Sequence, residues 1–180
     1  ERGIKRVICV SPHDYDTFRH YYDEIETIEV RHYTQIIWEM MERSEITFKK
    51  SPNRKVVYHD PCYLGRHNGV YEEPREVIDA IPGVKRVDMK KCRDRSFCCG
   101  GGGLMLFYEP EEEQRMGVLR VEMAVEAGAD IIVTACPFCL VNIEDAIKVA
   151  GMEGKMEAID LAELVARHMV QTADQAVFEA

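Results

Sequence analysis

The sequence lacks a long hydrophobic run, and it lacks an excess of positive charge. Its longest apolar stretch, Ile131 to Ile143, is too short to span a bilayer and contains Pro137 and two cysteines. Lysine and arginine total 23 against 32 aspartate and glutamate residues, which gives a formal net charge of −9. This charge balance excludes nucleic acid and anionic membrane surfaces from the expected partners.

The sequence also lacks a signal-peptide pattern, and it starts at Glu1 without a methionine. We therefore expect a piece of a longer cytoplasmic protein. Any association with the inner face of a membrane would come through a partner or a missing segment. Seven cysteines is an odd number, and in a charged chain it favours an intracellular metal or redox site over a disulfide framework.

Short apolar segments alternate with amphipathic ones, and this alternation predicts an α/β fold with a parallel sheet flanked by helices. The predicted strands are Arg6–Val10, Glu29–His32, Lys55–Tyr58, Val84–Met89, Asp130–Thr134 and Met156–Ile159. The predicted helices are Tyr15–Tyr22, Tyr33–Arg43, Pro74–Ala80, Pro110–Gly128, Pro137–Gly151 and Leu161–His168. In the helix that Pro110 opens, Met116, Leu119 and Met123 are expected to line one face.

Cys98 and Cys99 are adjacent and are followed by four glycines, Gly100 to Gly103. Neighbouring side chains on an extended backbone point to opposite faces, so two sulfur atoms aimed at one object require a kink that glycine permits. Bare glycine backbone also lets N–H groups approach whatever the sulfur atoms hold. The stretch therefore predicts a metal or iron–sulfur site.

Five cysteines fall at predicted loop positions: Cys62, Cys98, Cys99, Cys136 and Cys139. Two of these positions directly follow predicted strands, and ligand sites in open α/β sheets gather at the carboxyl ends of strands. Pro137 fits the first position of a helix, which places Cys136 near the N-cap and Cys139 in the first turn. The helix dipole there favours anionic sulfur.

Three kinds of site compete for these cysteines. Zinc commonly uses two C-x2-C pairs, and the sequence has one such pair with too many further cysteines. A thioredoxin-like dithiol would explain Cys136-Pro137-Phe138-Cys139 but leave Cys62, Cys98 and Cys99 without a role. An iron–sulfur cluster accepts thiolates from dispersed loops, and we favour it on these grounds.

The spacing resembles the cysteine-rich CCG domain of the heterodisulfide reductase-related family. It runs Cys62, 35 residues, Cys98-Cys99, 36 residues, and then Cys136-x2-Cys139. The similarity covers about Val56 to Ala166. The flanking words that carry it are His59-Asp60-Pro61-Cys62-Tyr63-Leu64-Gly65-Arg66, Ser96-Phe97-Cys98-Cys99-Gly100 and Thr134-Ala135-Cys136-Pro137-Phe138-Cys139.

The resemblance implies that the five cysteines bind a [4Fe-4S] cluster, which in heterodisulfide reductase is of a non-cubane type. It implies an iron–sulfur oxidoreductase subunit that relays electrons between a flavoprotein and a quinone or another carrier, together with other subunits or an upstream part of the same chain. The alternatives are a disulfide (heterodisulfide) reductase domain and, from a different class, a zinc-stabilised interaction module.

Family proteins usually carry two CCG domains in tandem, and the resemblance extends weakly to the first residues of this chain. Where a first domain would close with Cys-Pro-His-Cys, this sequence reads Ser11-Pro12-His13-Asp14. Residues 1–50 are therefore interpreted as the closing part of a degenerate first CCG domain, 51–170 as a complete CCG domain, and 171–180 as a tail. The loss of both cysteines weakens the disulfide reductase hypothesis.

The remaining cysteines and histidines are assigned supporting roles. Cys9 lies in a predicted strand and is expected in the core, and Cys92 is expected at the surface or beside the site. His59 and His67 flank Cys62, and hydrogen bonding is the role we expect for them because five thiolates already suffice. His13 and His32 are expected in turn and core packing.

Overall fold

A computed structural model describes residues 3–22, 27–102, 105 and 115–170. Within these residues the predicted α/β alternation is confirmed. The strands are β1 (Arg6–Cys9), β2 (Glu29–His32), β3 (Arg54–His59), β4 (Val84–Val87), β5 (Ile131–Thr134) and β6 (Glu157–Asp160). The helices are α1 (Pro12–His20), α2 (Tyr33–Glu42), α3 (Glu72–Asp79), α4 (Met116–Glu126), α5 (Pro137–Val149) and α6 (Leu161–His168).

The six strands form two parallel sheets, a division that the sequence did not indicate. β1 pairs with β2, and the other four strands form a sheet in the order β4-β3-β5-β6. The chain enters this sheet at β3, adds β4 on one side, and then crosses back to add β5 and β6 on the other side. The point between β3 and β5 is therefore a topological switch point, where open α/β sheets place their ligand sites.

The central strands bury both faces, because helices cover the four-stranded sheet on each side. Val56 and Tyr58 pack in one hydrophobic cluster together with residues of α3 and α6. Val57 points the other way and packs with residues of α4 and α5. This alternation has the period of two that a strand imposes on its side chains, and it holds the carboxyl ends of β3 and β5 rigidly side by side.

Several element boundaries differ from the expected ones for local reasons. Helix α1 begins at Pro12 instead of Tyr15, because Ser11 acts as N-cap and its hydroxyl accepts a hydrogen bond from the His13 amide at 3.2 Å. The start expected at Pro110 and the tail 171–180 lie outside the described residues. None of the described helices is long and apolar enough to cross a lipid bilayer.

The buried face of α4 differs from the expected one. Met116, Leu119 and Met123 are only half-buried, and the buried positions are Gly117, Val118, Arg120, Val121 and Ala124. The stripe chosen from the largest apolar residues was wrong because it left out an arginine. That arginine is the most buried charged residue of the helix, and it bears on the site.

Candidate metal centre

The switch point of the four-stranded sheet brings two of the predicted cysteines to the same edge. His59, the last residue of β3, pairs in register with Thr134, the last residue of β5. Cys62 follows His59 by three positions, and Cys136 follows Thr134 by two. The register of these two strands therefore places Cys62 and Cys136 beside each other.

Helix α5 orients the Cys136–Cys139 pair as expected from Pro137. Cys136 is the N-cap residue in an extended conformation, with Pro137 in the first turn. Cys139 lies in that turn, and the exposed fractions of the two side chains are 1% and 3%. Both sulfur atoms thus lie at the positive end of the helix dipole, away from solvent.

The Cys98–Cys99 loop has the kink and the approaching N–H groups that the glycines predicted. Gly100 has φ +91°, in the region that favours glycine. Its amide donates to the Cys98 Sγ at 3.3 Å, and the Gly101 amide donates to the Cys99 Sγ at 3.4 Å. A Cβ on Gly100 would lie 3.2 Å from the backbone nitrogen of Gly117, so the loop packs closely on α4. Gly103 lies outside the described residues.

The structure brings the thiol groups of all five predicted cysteines together. A ring nitrogen of His59 and the Sγ atoms of Cys99 and Cys139 lie within 4.8 Å of one another. Cys98 hydrogen-bonds Cys99, Cys136 hydrogen-bonds Cys139, and Cys62 is close enough to Cys99 and Cys136 for electrostatic coupling. Their role as ligands stays a prediction, and the convergence of side chains from three separate parts of the chain is its basis.

The thiols share protons in a way that depends on their neighbours. Hydrogen bonds from the Cys139 and Cys98 thiols hold the pKa of Cys99 well below its usual range, and a bond from Cys139 lowers the pKa of Cys136. The donors Cys98 and Cys139 have raised pKa values as a result, and burial raises the pKa of Cys62. A metal centre would replace these shared protons.

A buried ion pair shapes the loops that carry the cysteines. Arg75 of α3 donates to both carboxylate oxygens of Asp60, at 2.6 and 2.9 Å, and each side chain is 1% exposed. Asp60 also accepts from the backbone amide of Arg93 at 2.9 Å, and its carbonyl oxygen accepts from the Ser96 hydroxyl at 3.3 Å. Asp60 therefore ties the loop after β3 to the segment that leads into Cys98.

Arg120 is a second buried arginine beside the sulfur atoms, and it is fully buried. It donates from Nε to the His59 Nδ1 at 3.0 Å, from Nη1 to the Lys91 carbonyl at 2.7 Å and from Nη2 to the Ser96 hydroxyl at 3.4 Å. Burial lowers the pKa of Arg120 to about 10, so the guanidinium is cationic at neutral pH. Burial also lowers the pKa of His59.

The sequence reasoning did not single out Arg75, Arg120 or Asn142, which all support the site. The Asn142 side-chain amide donates to the carbonyl of Cys99. A signal for Arg120 was present, because it stands four positions after Met116 and three before Met123 on an otherwise apolar helix face. A charged residue at such a position needs a buried partner.

The other weighed residues lie away from the sulfur atoms or serve packing. Cys9 is 4% exposed in the core as expected, and half-buried Cys92 lies in the field of Asp88 and Arg75. His67 stacks on Tyr63 at a centroid distance of 4.2 Å instead of facing the thiols.

The two remaining histidines also have packing roles. His13 packs on Tyr63 at a centroid distance of 4.2 Å. His32 is fully buried and caps α2, as expected for a turn and core residue.

Comparison with known families gives the site a relationship. Residues 56–144 match the family CCG, described as a cysteine-rich domain, and this range contains all five converging cysteines. The strand–loop segments built around β3, β4 and β5 are therefore those that the family shares.

Three relatives illustrate the range of similar proteins. The chain is 33% identical to the probable iron-sulfur-binding oxidoreductase FadF of Bacillus subtilis, over 94% of this chain and 24% of that protein. It is 35% identical to the EtfAB:quinone oxidoreductase of Syntrophomonas wolfei, over 93% of this chain and 24% of the relative. It is 41% identical to one of the subunits of the dihydromethanophenazine:CoB--CoM heterodisulfide reductase of Methanosarcina barkeri, over 77% and 33% respectively. The chain thus spans a quarter to a third of the length of these relatives.

Proposed function

This chain belongs to the cysteine-rich CCG family of iron–sulfur oxidoreductases related to heterodisulfide reductase, and we propose that it is an iron–sulfur electron-transfer domain. Cys62, Cys98, Cys99, Cys136 and Cys139 are its ligands, and the cofactor is a [4Fe-4S] cluster. The observation that carries the proposal is the convergence of these five thiols at the switch point, with backbone N–H groups on two of the sulfur atoms.

The residues at the site fit such a cluster on three counts. The sulfur atoms come from dispersed loops, glycine amides donate to them, and the cationic Arg120 lies close enough to oppose the negative charge of thiolates. When bound, the cluster accepts and releases single electrons. Five thiolates exceed the four of an ordinary cubane, which favours the non-cubane geometry known from heterodisulfide reductase.

The exposure of the ligands suggests the side through which electrons pass. Cys99, Cys136 and Cys139 are buried, whereas Cys62 and Cys98 are half-buried. Electron transfer falls off with distance, so a partner docking over Cys62 and Cys98 has the shortest path. We propose that this partner is a flavoprotein, and that other subunits or further parts of the same chain complete the assembly.

The first part of the chain supports a relay in place of disulfide cleavage. β1-α1-β2-α2 repeats the element order of β5-α5-β6-α6, with Pro12 at the place of Pro137. Ser11 and Asp14 then stand where Cys136 and Cys139 stand, and the Ser11 hydroxyl is used to cap α1. We propose that residues 1–50 close a degenerate first CCG domain, that 51–170 form a complete one, and that 171–180 are a tail.

One CCG cluster per chain supports one-electron relay toward a quinone or another carrier. Cleaving a disulfide takes two electrons, which a second cluster in the first domain would supply. The second candidate function is nevertheless disulfide reduction, which the 41% identity to part of a heterodisulfide reductase favours.

The test is to purify the full-length protein anaerobically, measure iron, sulfide and zinc, and offer the reduced protein a disulfide or a quinone analogue. We expect about four irons from the CCG region and faster reoxidation by the quinone analogue. Eight irons from two CCG domains with efficient disulfide cleavage would establish the second candidate instead. Zinc without sulfide would overturn both in favour of a zinc-stabilised interaction module.

A further inference from the structure

His59 and Arg120 form a buried pair whose chemistry goes beyond holding the loops. Arg120 is 0% exposed in α4, and His59 at the end of β3 is 1% exposed. The Arg120 Nε donates to the His59 Nδ1 at 3.0 Å, and its two other nitrogens are held by the Lys91 carbonyl and the Ser96 hydroxyl. The guanidinium is thus fixed in place and aimed at one ring nitrogen.

This hydrogen bond determines which ring nitrogen of His59 carries the proton. A guanidinium has five N–H donors and no acceptor, so the Nδ1 that faces it must present a lone pair. The single ring proton of His59 is therefore on Nε2. A metal-bound histidine has the opposite arrangement, in which the second nitrogen donates to a carboxylate or carbonyl. His59 is consequently a hydrogen-bond donor at this site and not a ligand.

The acceptor for that proton is a sulfur atom. The His59 Nε2 is buried and has no hydrogen-bond partner among the described residues. A ring nitrogen of His59 lies within 4.8 Å of the Sγ atoms of Cys99 and Cys139, and Nδ1 is already occupied by Arg120. A buried N–H without a partner costs about 1–3 kcal/mol, and a thiolate drawn onto a metal at this place would satisfy it.

We infer that Arg120 holds His59 with its proton on Nε2, so that His59 donates a hydrogen bond to the Cys99 sulfur and raises the reduction potential of the centre that Cys99 binds. This inference rests on the proposed iron–sulfur function. Hydrogen bonds to ligand sulfur and nearby positive charge stabilise the reduced, more negative state. Arg120 contributes its charge directly and, through His59, acts as a positioning residue.

The main test measures the midpoint potential of the loaded full-length protein by redox titration. His59→Leu removes the donor, and Arg120→Met removes the residue that fixes the tautomer. Each is expected to lower the reduced-to-oxidised ratio at the wild-type midpoint by about tenfold, which is about 59 mV for one electron. His59→Gln keeps an acceptor for Arg120 and an N–H for sulfur, so it is expected to stay near the wild-type potential.

Iron content and a double variant separate this role from others. All three single variants and the Cys92→Ser control should retain their iron. The double variant His59→Leu/Arg120→Met should shift the potential by less than the sum of the single shifts, because Arg120 acts partly through His59. Additive shifts, an unchanged potential in His59→Leu, or loss of iron in His59→Gln would each overturn the inference. If His59→Leu folds poorly, the potential of Arg120→Met decides.

A second readout needs no cluster. Nitrogen-15 NMR of the full-length protein before iron loading reports the tautomer of His59 directly. We expect the proton on Nε2 in the wild type and a loss of that preference in Arg120→Met, and a proton on Nδ1 in the wild type would overturn the inference. A wild-type protein that takes up no iron would refute the proposed function, while this measurement would still decide the tautomer.

Discussion

Residues 6–42 and residues 131–168 follow the same path with different chemistry at the same turn. In each, a strand leads through an N-cap and a proline into a helix, and a second strand then ends at the N-cap of a second helix. The caps are Ser11 and His32 in the first region, and Cys136 and Asp160 in the second. The turn therefore forms without thiols, which indicates that the cysteines of the second region serve a ligand and not the fold.

The two regions also differ in burial. All four residues of β5 are buried, because β3 and β6 flank it and helices cover both faces. In β1 only Cys9 is buried, and Ile8 is 50% exposed. Asp14 is exposed, whereas Cys139, its counterpart, is 3% exposed. Burial at the second turn protects sulfur from water, and the first turn offers neither sulfur nor burial.

The largest expected effect comes from giving the second turn the cap of the first. Cys136→Ser removes a proposed ligand but installs the residue that caps α1, and serine is a better N-cap than cysteine. We expect the protein to lose nearly all of its bound iron while the unfolding free energy of the metal-free protein changes by less than about 1 kcal/mol.

Iron analysis and chemical denaturation of the variant check both halves of that expectation. Cys92→Ser is the matched control, because it makes the same chemical change at a half-buried cysteine outside the converging set. Iron retained at the wild-type level in Cys136→Ser would show that the two turns differ for a reason other than metal binding.

A smaller effect is expected at the buried ion pair, which the first region lacks among its described residues. Asp60→Ala leaves Arg75 as a buried charge without its bidentate partner, and such a loss costs about 3–5 kcal/mol of unfolding free energy. Denaturant titration measures it. The control is Glu29→Ala in the first region, whose pair with Arg6 is 42% and 48% exposed on the two sides and should contribute less than about 1 kcal/mol. Equal losses in the two variants would contradict the distinction.

The caps of α2 and α6 give the next effect, which depends on pH. Burial lowers the pKa of His32 to about 4, and the aromatic rings of Tyr15 and Tyr33 pack against it. The folded pKa is depressed, so the unfolded chain takes up the proton first as the pH falls below about 6.5. Stability is full above that pH and falls by about 2 kcal/mol by pH 5, with further loss toward pH 4.

Comparison with His32→Asn, which keeps a capping side chain without a titrating ring, isolates this contribution. The stability difference between wild type and variant should shrink by about 2 kcal/mol between pH 7 and pH 5. The difference is read from denaturation midpoints at each pH. A difference that stays constant over this range would show that His32 does not carry the pH dependence.

The smallest effect concerns the contact that joins the two regions. The Tyr33 hydroxyl of α2 donates to the Asp160 carboxylate at 2.8 Å, and the same oxygen caps α6 by accepting from the Ala162 amide at 2.8 Å. Tyr33→Phe should cost about 1 kcal/mol of unfolding free energy, since Asp160 keeps its cap bond. No loss on thermal or chemical unfolding would mean that the two regions are stabilised independently of this bond.

Much of the fold was predictable because its signals are local. Apolar strands, Pro137 at a helix start and Gly100 at a kink each follow from the preferences of a few neighbouring residues. The same holds for the placement of Cys62 and Cys136 after strands. The division into two sheets was not predictable, because it depends on which strands pair and not on where each strand lies.

By itself the sequence determined the α/β alternation, the five candidate cysteines and the family that they resemble, since each is written in residue types and spacings. Only the tertiary structure decided how the thiols are supported. Arg120 reaches His59 across 61 positions of sequence, and Arg75 reaches Asp60 from a different element. Side-chain hydrogen bonds between distant residues leave no local pattern, because their partners meet only after the strands have paired and the helices have packed on them.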